Sequence, residues 1–125
     1  MKIETSDGDI LDKISILELK QELIEDKNKL VNINRELNTL QESCIKLINN
    51  TKIKQLYREL KDTNRKLWEI ENTIRIKEKN QEFDHQFITL ARSVYFTNDK
   101  RAEIKKQINT LTQSNFVEEK SYEKY

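Results

Sequence analysis

The sequence predicts an all-α protein in which long antiparallel helices form a three-helix or four-helix coiled-coil-like bundle. Three observations carry this expectation. The 125 residues include one Gly and no Pro, whereas hairpin turns, phosphate loops and nucleophile elbows all need backbone-permissive residues. A β-sandwich, a Rossmann domain and a P-loop enzyme are therefore poor fits. Apolar residues recur at 3-4 spacing over three long seams, the pattern of amphipathic helices. Capping residues stand where those seams begin and end.

The first helix start is written at residues 6–9. Ser6 is placed to cap the free N–H groups, and Asp9 stands three residues on in a capping-box arrangement. Asp7, Asp9 and Asp12 put negative charge where the helix dipole favours it. From Ile16 the seam runs through Leu19, Leu23, Asp26, Leu30, Ile33, Leu37, Leu40, Cys44 and Leu47, with Asp26 its one polar member. An unbroken helix over 8–49 would be about 60 Å long, so a break and recap near Asp26 is favoured over a kink. Asn49, Asn50 and Thr51 form the next junction, with Asn ending one helix and Thr capping the next. The second seam is Ile53, Leu56, Leu60, Thr63, Leu67, Ile70, Ile74 and Lys77, and it lapses at Lys79-Asn80-Gln81. The third is Phe83, Phe87, Leu90, Val94, Thr97, Arg101, Ile104, Ile108 and Leu111. A single helical domain over 1–125 follows, with helices at about 8–26, 28–49, 52–79 and 82–112. Residues 113–125 form a polar tail in which Phe116 and Val117 would dock locally.

A second stripe, Ile10, Ile14, Leu17 and Ile24, flanks the Ile16 seam. A helix apolar over that much of its circumference needs partners on two sides. A second copy of the chain is one candidate, so the stripe reads as a dimer face.

Charge is globally balanced, with 23 basic and 22 acidic residues, but locally uneven. Residues 4–26 are acidic and residues 46–66 are basic. The simpler reading is two solvated faces; the sharper one is complementarity that orients helix pairing. Near-neutral net charge and no known motif disfavour nucleic-acid binding, which would rest on residues 46–66 with Tyr57 and Trp68 nearby. There is no apolar run of about 18 residues and no signal-peptide h-region. The single cysteine, Cys44, lies on an apolar seam and reads as an inert core thiol. A soluble cytoplasmic protein without membrane association is expected.

Chemistry is harder to read. Glu82-Phe83-Asp84-His85 is a Glu-x-x-His unit, but His85 is the only histidine, and a di-iron cage needs a second such unit. Glu22-x-x-Glu25 and Glu59-x-x-Asp62 look like the Mg²⁺-holding pairs of all-α nucleotide pyrophosphohydrolases. Arg75, Arg92 and Arg101 have the chemistry to clamp a dicarboxylate, as in chorismate-mutase-like bundles. Residues 88–109 are the most informative stretch. Thr97 and Arg101 occupy seam positions, and Arg92, Tyr95 and Asp99 project from an adjacent face. Polar seam residues often fix register or partner choice; alternatively, Thr97-Asn98-Asp99 marks a kink or helix end. Paired across an interface, Arg101 would take Asp99 or an acid from residues 4–26 as its partner.

The blocks DGDILDKISILELK (7–20), LWEIENTIRIKE (67–78), ITLARSVYFTNDKRAEIKKQIN (88–109) and VEEKSY (117–122) resemble a family of short, uncharacterised bacterial proteins. Family members tend to carry a Gly-Ser turn before the tail, where this chain has Gln113-Ser114. The resemblance implies no activity. It implies an association with cell-surface polysaccharide biosynthesis, and so a protein partner in that pathway.

The functional expectation is a non-catalytic interaction or assembly module, a homodimer without cofactor or metal. Arg92, Tyr95, Asn98, Asp99 and Arg101 would make its specific polar contacts, to a partner or a ligand. The rival is a small Mg²⁺-dependent enzyme acting on a nucleotide or sugar phosphate through Glu22, Glu25, Glu59 and Asp62.

Overall fold

The computed structural model describes residues 5–112. Over that range the chain is all-α, with four helices and no strand: α1 Asp7–Leu23, α2 Lys27–Ile48, α3 Thr51–Lys79 and α4 His85–Thr112. Phe116, Val117 and the polar tail lie outside the described residues. No helix among the described residues is long and apolar enough to cross a membrane.

Local polar chemistry sets each boundary. Ser6 Oγ accepts from the Asp9 N–H at 3.1 Å and starts α1. The chain breaks after Leu23, where Ile24 is extended and the Asp26 carboxylate accepts from the Asn28 and Lys29 amides to start α2. At the next junction Asn50 is the cap, accepting from Lys52 and Ile53. Thr51, expected as the cap, is the first helical residue. The turn into α4 passes through Gln81 at φ 55°. Asp84 then caps the Phe87 amide at 2.9 Å, so α4 begins three residues later than the seam suggests. It continues unbroken through Thr97-Asn98-Asp99, and the helix end allowed for there does not occur.

The core joins all four helices at one end of the α3–α4 pair. Leu11, Ile14 and Leu17 of α1 meet Ile33, Leu37 and Cys44 of α2, Ile53, Leu56 and Leu60 of α3, and Ile104 and Ile108 of α4. Ile10 and Ile24 pack against this cluster. The stripe read as a dimer face is therefore spent inside the chain, with Ile14 and Leu17 only 1% and 2% exposed. Its partners are the three other helices of the same molecule, because α1 touches α2, α3 and α4 at once. Conversely, Leu23, a member of the Ile16 seam, is exposed.

Beyond this core α3 and α4 run on as a two-helix arm. Leu67 and Ile70 are its buried apolar residues, whereas no α4 residue from 85 to 96 is buried. Lys77 ties the arm's tip with an ammonium 3.0 Å from Asp84 and 3.5 Å from Glu82.

Candidate functional site: a polar junction and a basic groove

Where α1 crosses the α3–α4 pair, four polar side chains meet. Arg101 on α4 grips Asp12 on α1 bidentately, Nε to Oδ1 at 2.9 Å and Nη2 to Oδ2 at 2.5 Å. Asn64 on α3 donates to Asp12 Oδ1 at 2.9 Å and to Ser15 Oγ at 2.7 Å. Ser15 in turn donates to the Asp12 carbonyl at 2.7 Å. Ser15 and Asn64 are buried. Buried polar groups are costly unless satisfied, and no buried side-chain N or O among the described residues lacks a partner. A bidentate, charge-assisted pair also fixes orientation, so the junction sets how α1 lies on the other two helices.

Two further contacts fix the same crossing. Lys105 reaches Asp9 at 2.8 Å. Burial pushes the Asp9 carboxyl up, but hydrogen bonds from Lys105 and Ser6 outweigh it and leave the group below its ordinary value. The Gly8 amide donates to Asn109 Oδ1 at 2.7 Å. A Cβ at Gly8 would stand 2.7 Å from the Lys105 carbonyl oxygen, so the chain's only glycine lies at a close approach of the α1 and α4 backbones.

The acidic start of the chain also meets its basic middle. Lys61 lies 3.1 Å from Glu18 and 2.8 Å from Glu22, and Arg65 lies 2.9 Å from Glu22. Tyr57 donates its hydroxyl to Glu18, and burial, then that bond, keeps the phenol protonated far above its ordinary range. The Lys61 and Arg65 hydrogen bonds hold the Glu22 carboxyl below its usual value. Complementarity between the two charged stretches is thus realised as ion pairs between α1 and α3. Around Tyr57 opens a groove of about 480 Å³, lined by Ile48, Lys54, Arg58, Lys61 and Arg65 and by the carboxylates Glu18 and Asp62. A second hollow, about 360 Å³, lies between α3 and α4, with Thr63, Thr97, Lys66, Lys100, Phe96 and Asp62 on its walls.

Of the residues singled out in residues 88–109, Arg101 belongs to the junction. Asn98 and Asp99 are half-buried, Arg92 is exposed, and Tyr95 is exposed with its ring 4.9 Å from Phe96. The four carboxylates of the Mg²⁺ reading do not converge. Glu22 is taken up by Lys61 and Arg65, and no group of three or more His, Cys, Asp or Glu among the described residues is placed to share a metal ion. His85 is exposed at the first position of α4.

Sequence reasoning places a partner of Arg101 among the acids of residues 4–26 without singling out Asp12, and it misses Ser15 and Asn64. Asp12 reads as a helix-dipole residue, and Asn64 stands one place off the α3 seam. Its signal was available: a polar residue beside a seam member, Thr63, at the level where α4 carries Arg101.

No curated protein and no solved structure matches this chain. A family profile matches residues 1–125 in full. The chain belongs to the family of unknown function DUF6165.

Proposed function

We propose that the protein is a non-catalytic helical assembly module that dimerises through its α3–α4 arm, the helices forming an antiparallel coiled-coil-like bundle completed by a second copy. The observation that carries this reading is the arm's uncovered apolar surface. Trp68 and Ile76 of α3, Phe83 of the turn into α4, and Ile88, Tyr95 and Phe96 of α4 are 36–58% exposed, and concentrated exposed apolar surface marks an interaction site. Two helices without a third bury only the seam between them, whereas two such arms together make a four-helix arrangement with an interior. The arm's charge suits a like partner. Residues 67–97 hold four basic and five acidic residues, so two copies do not repel strongly.

Arg92, Tyr95, Asn98 and Asp99 supply polar contacts at the base of the arm, while Arg101 holds the α1 junction that orients it. The family resemblance of the 7–20 and 88–109 blocks supports a cytoplasmic role beside surface-polysaccharide biosynthesis, with a protein of that machinery as the further partner. Trp68, the only tryptophan, reports on the interface. Its emission should shift to shorter wavelength as concentration rises through the micromolar range and move back on dilution. Emission independent of concentration, at the wavelength of a half-exposed indole, would count against the arm as the contact surface.

A further inference from the structure

We propose that the groove beside Tyr57 is a binding site for the diphosphate group of a small molecule, held by Lys54 and Arg58. α3 places Lys54, Arg58, Lys61 and Arg65 at i, i+4, i+7 and i+11, all four lining one groove. At 1.5 Å per residue they span about 16 Å. Like charges one turn apart destabilise a helix, so such a row calls for counter-charge. α1 supplies it for half the row only. Glu18 and Glu22 neutralise Lys61 and Arg65, whereas Lys54 and Arg58 make no ion pair among the described residues.

The missing counter-charge has a definite shape. Lys54 and Arg58 are one turn apart, about 6 Å along the axis, and Lys61 continues the row within the same groove. An arginine fork suits phosphate oxygens bidentately, and lysine ammoniums add point charges beside it. Two linked phosphates bring more charge and more acceptor oxygens to such a row than one phosphate does, so both cations are met without sharing an oxygen. The Tyr57 hydroxyl is committed to Glu18, which leaves its ring and Ile48 as the apolar wall for the uncharged part of a ligand. Asp62 and Glu18 also line the groove and interrupt its positive run. A polyanion such as RNA needs a continuous basic track, so the groove favours a small ligand over a polymer.

The test uses the full chain and inorganic pyrophosphate, followed by isothermal titration and thermal shift at about 50 mM salt. The expected result is saturable one-site binding that raises Tm and weakens with salt. Orthophosphate should bind at least about tenfold more weakly, and the Lys54→Gln, Arg58→Gln double variant should lose at least about tenfold in affinity. That variant relieves repulsion on α3, so its helix content and its ligand-free Tm should equal or exceed those of the wild type. Lys66→Gln, Lys100→Gln, in the hollow between α3 and α4, should bind as the wild type does. The proposal fails if pyrophosphate does not bind, or if the 54/58 variant binds unchanged. It also fails if the 66/100 variant is the one that loses binding, or if single-stranded RNA binds the groove more tightly than pyrophosphate. None of these outcomes depends on dimerisation.

Discussion

Arg101→Leu strips Asp12 of its cation at the point where α1 meets α3 and α4. The Asp12 side chain is 8% exposed and that of Arg101 28%, so the pair is dry on the α1 side and wetted on the other. Removing one member of a fully buried pair costs about 3–5 kcal/mol, and an exposed pair contributes about 0–1 kcal/mol. The Asn64 amide, 2.9 Å from Asp12 Oδ1 in the wild type, is untouched by the substitution and should keep that oxygen satisfied. The expected loss lies between those limits, about 2–3 kcal/mol, or a fall in Tm of roughly 8–12 °C for a domain of this size. Urea unfolding followed by helix circular dichroism at pH 7 measures it directly. A cycle with Asp12→Asn should return a coupling of about 1–2 kcal/mol. An apolar replacement avoids burying a charge, so the opposite result is physically available. An Arg101→Leu protein as stable as the wild type, with an additive cycle, would refute the junction as the device that seats α1.

Three further predictions follow from the same geometry. Gly8→Ala ordinarily favours a helix by about 1 kcal/mol, but the added methyl meets the Lys105 carbonyl at 2.7 Å; a net loss of about 1–3 kcal/mol in urea unfolding is expected, and a gain would show that the crossing is looser. Cys44 is fully buried in the core and burial pushes its thiol pKa up, so thiol reagents should react only on unfolding, and Cys44→Ser should cost about 1–3 kcal/mol. Asp9, Glu22 and Asp84 have carboxyl groups below their ordinary values, Asp84 through the Phe87 amide and then Lys77. Folded values below unfolded ones mean stability that is complete above the unfolded range, about pH 4, and lost as pH falls through the folded values. Tm should therefore be level from about pH 5 to 7 and drop below about pH 4, and Glu22→Gln should shallow the drop.

Much of the fold was legible because its signals are local. Ser6 capping α1, the break at Asp26, and the α3 seam from Ile53 to Ile70 all follow from neighbouring residues, and the structure shows each. What escaped depends on contacts distant in the chain. Which apolar residues of α1 turn inward is set by helices distant in the chain: Ile14 and Leu17 of the stripe and Leu19 of the Ile16 seam are buried, whereas Leu23 of that seam is exposed. The start of α4 moved to His85 because a positive-φ Gln81 and the Asp84 cap rearranged the turn. The junction was half legible. Arg101 is conspicuous as a charge on a seam, and its expected partners include the acids of residues 4–26. The choice of Asp12 among those acids and the parts of Ser15 and Asn64 are not legible, since each has an ordinary role in its own helix and acquires another only where three helices cross. Gly8 likewise gave no turn signal, because its use is close approach and not an unusual φ.

Sedimentation equilibrium of the wild type and of Ile88→Lys, at concentrations spanning the low micromolar to about 100 μM, tests the dimer through the arm most directly. Ile88 is exposed on the arm and remote from the core cluster, so the lysine should leave helix content and Tm of the folded chain intact. The wild type should approach twice the 15.0 kDa chain mass, while Ile88→Lys should remain at the mass of one chain. A wild type that stays monomeric throughout, or a variant that dimerises as well as the wild type, would contradict the account.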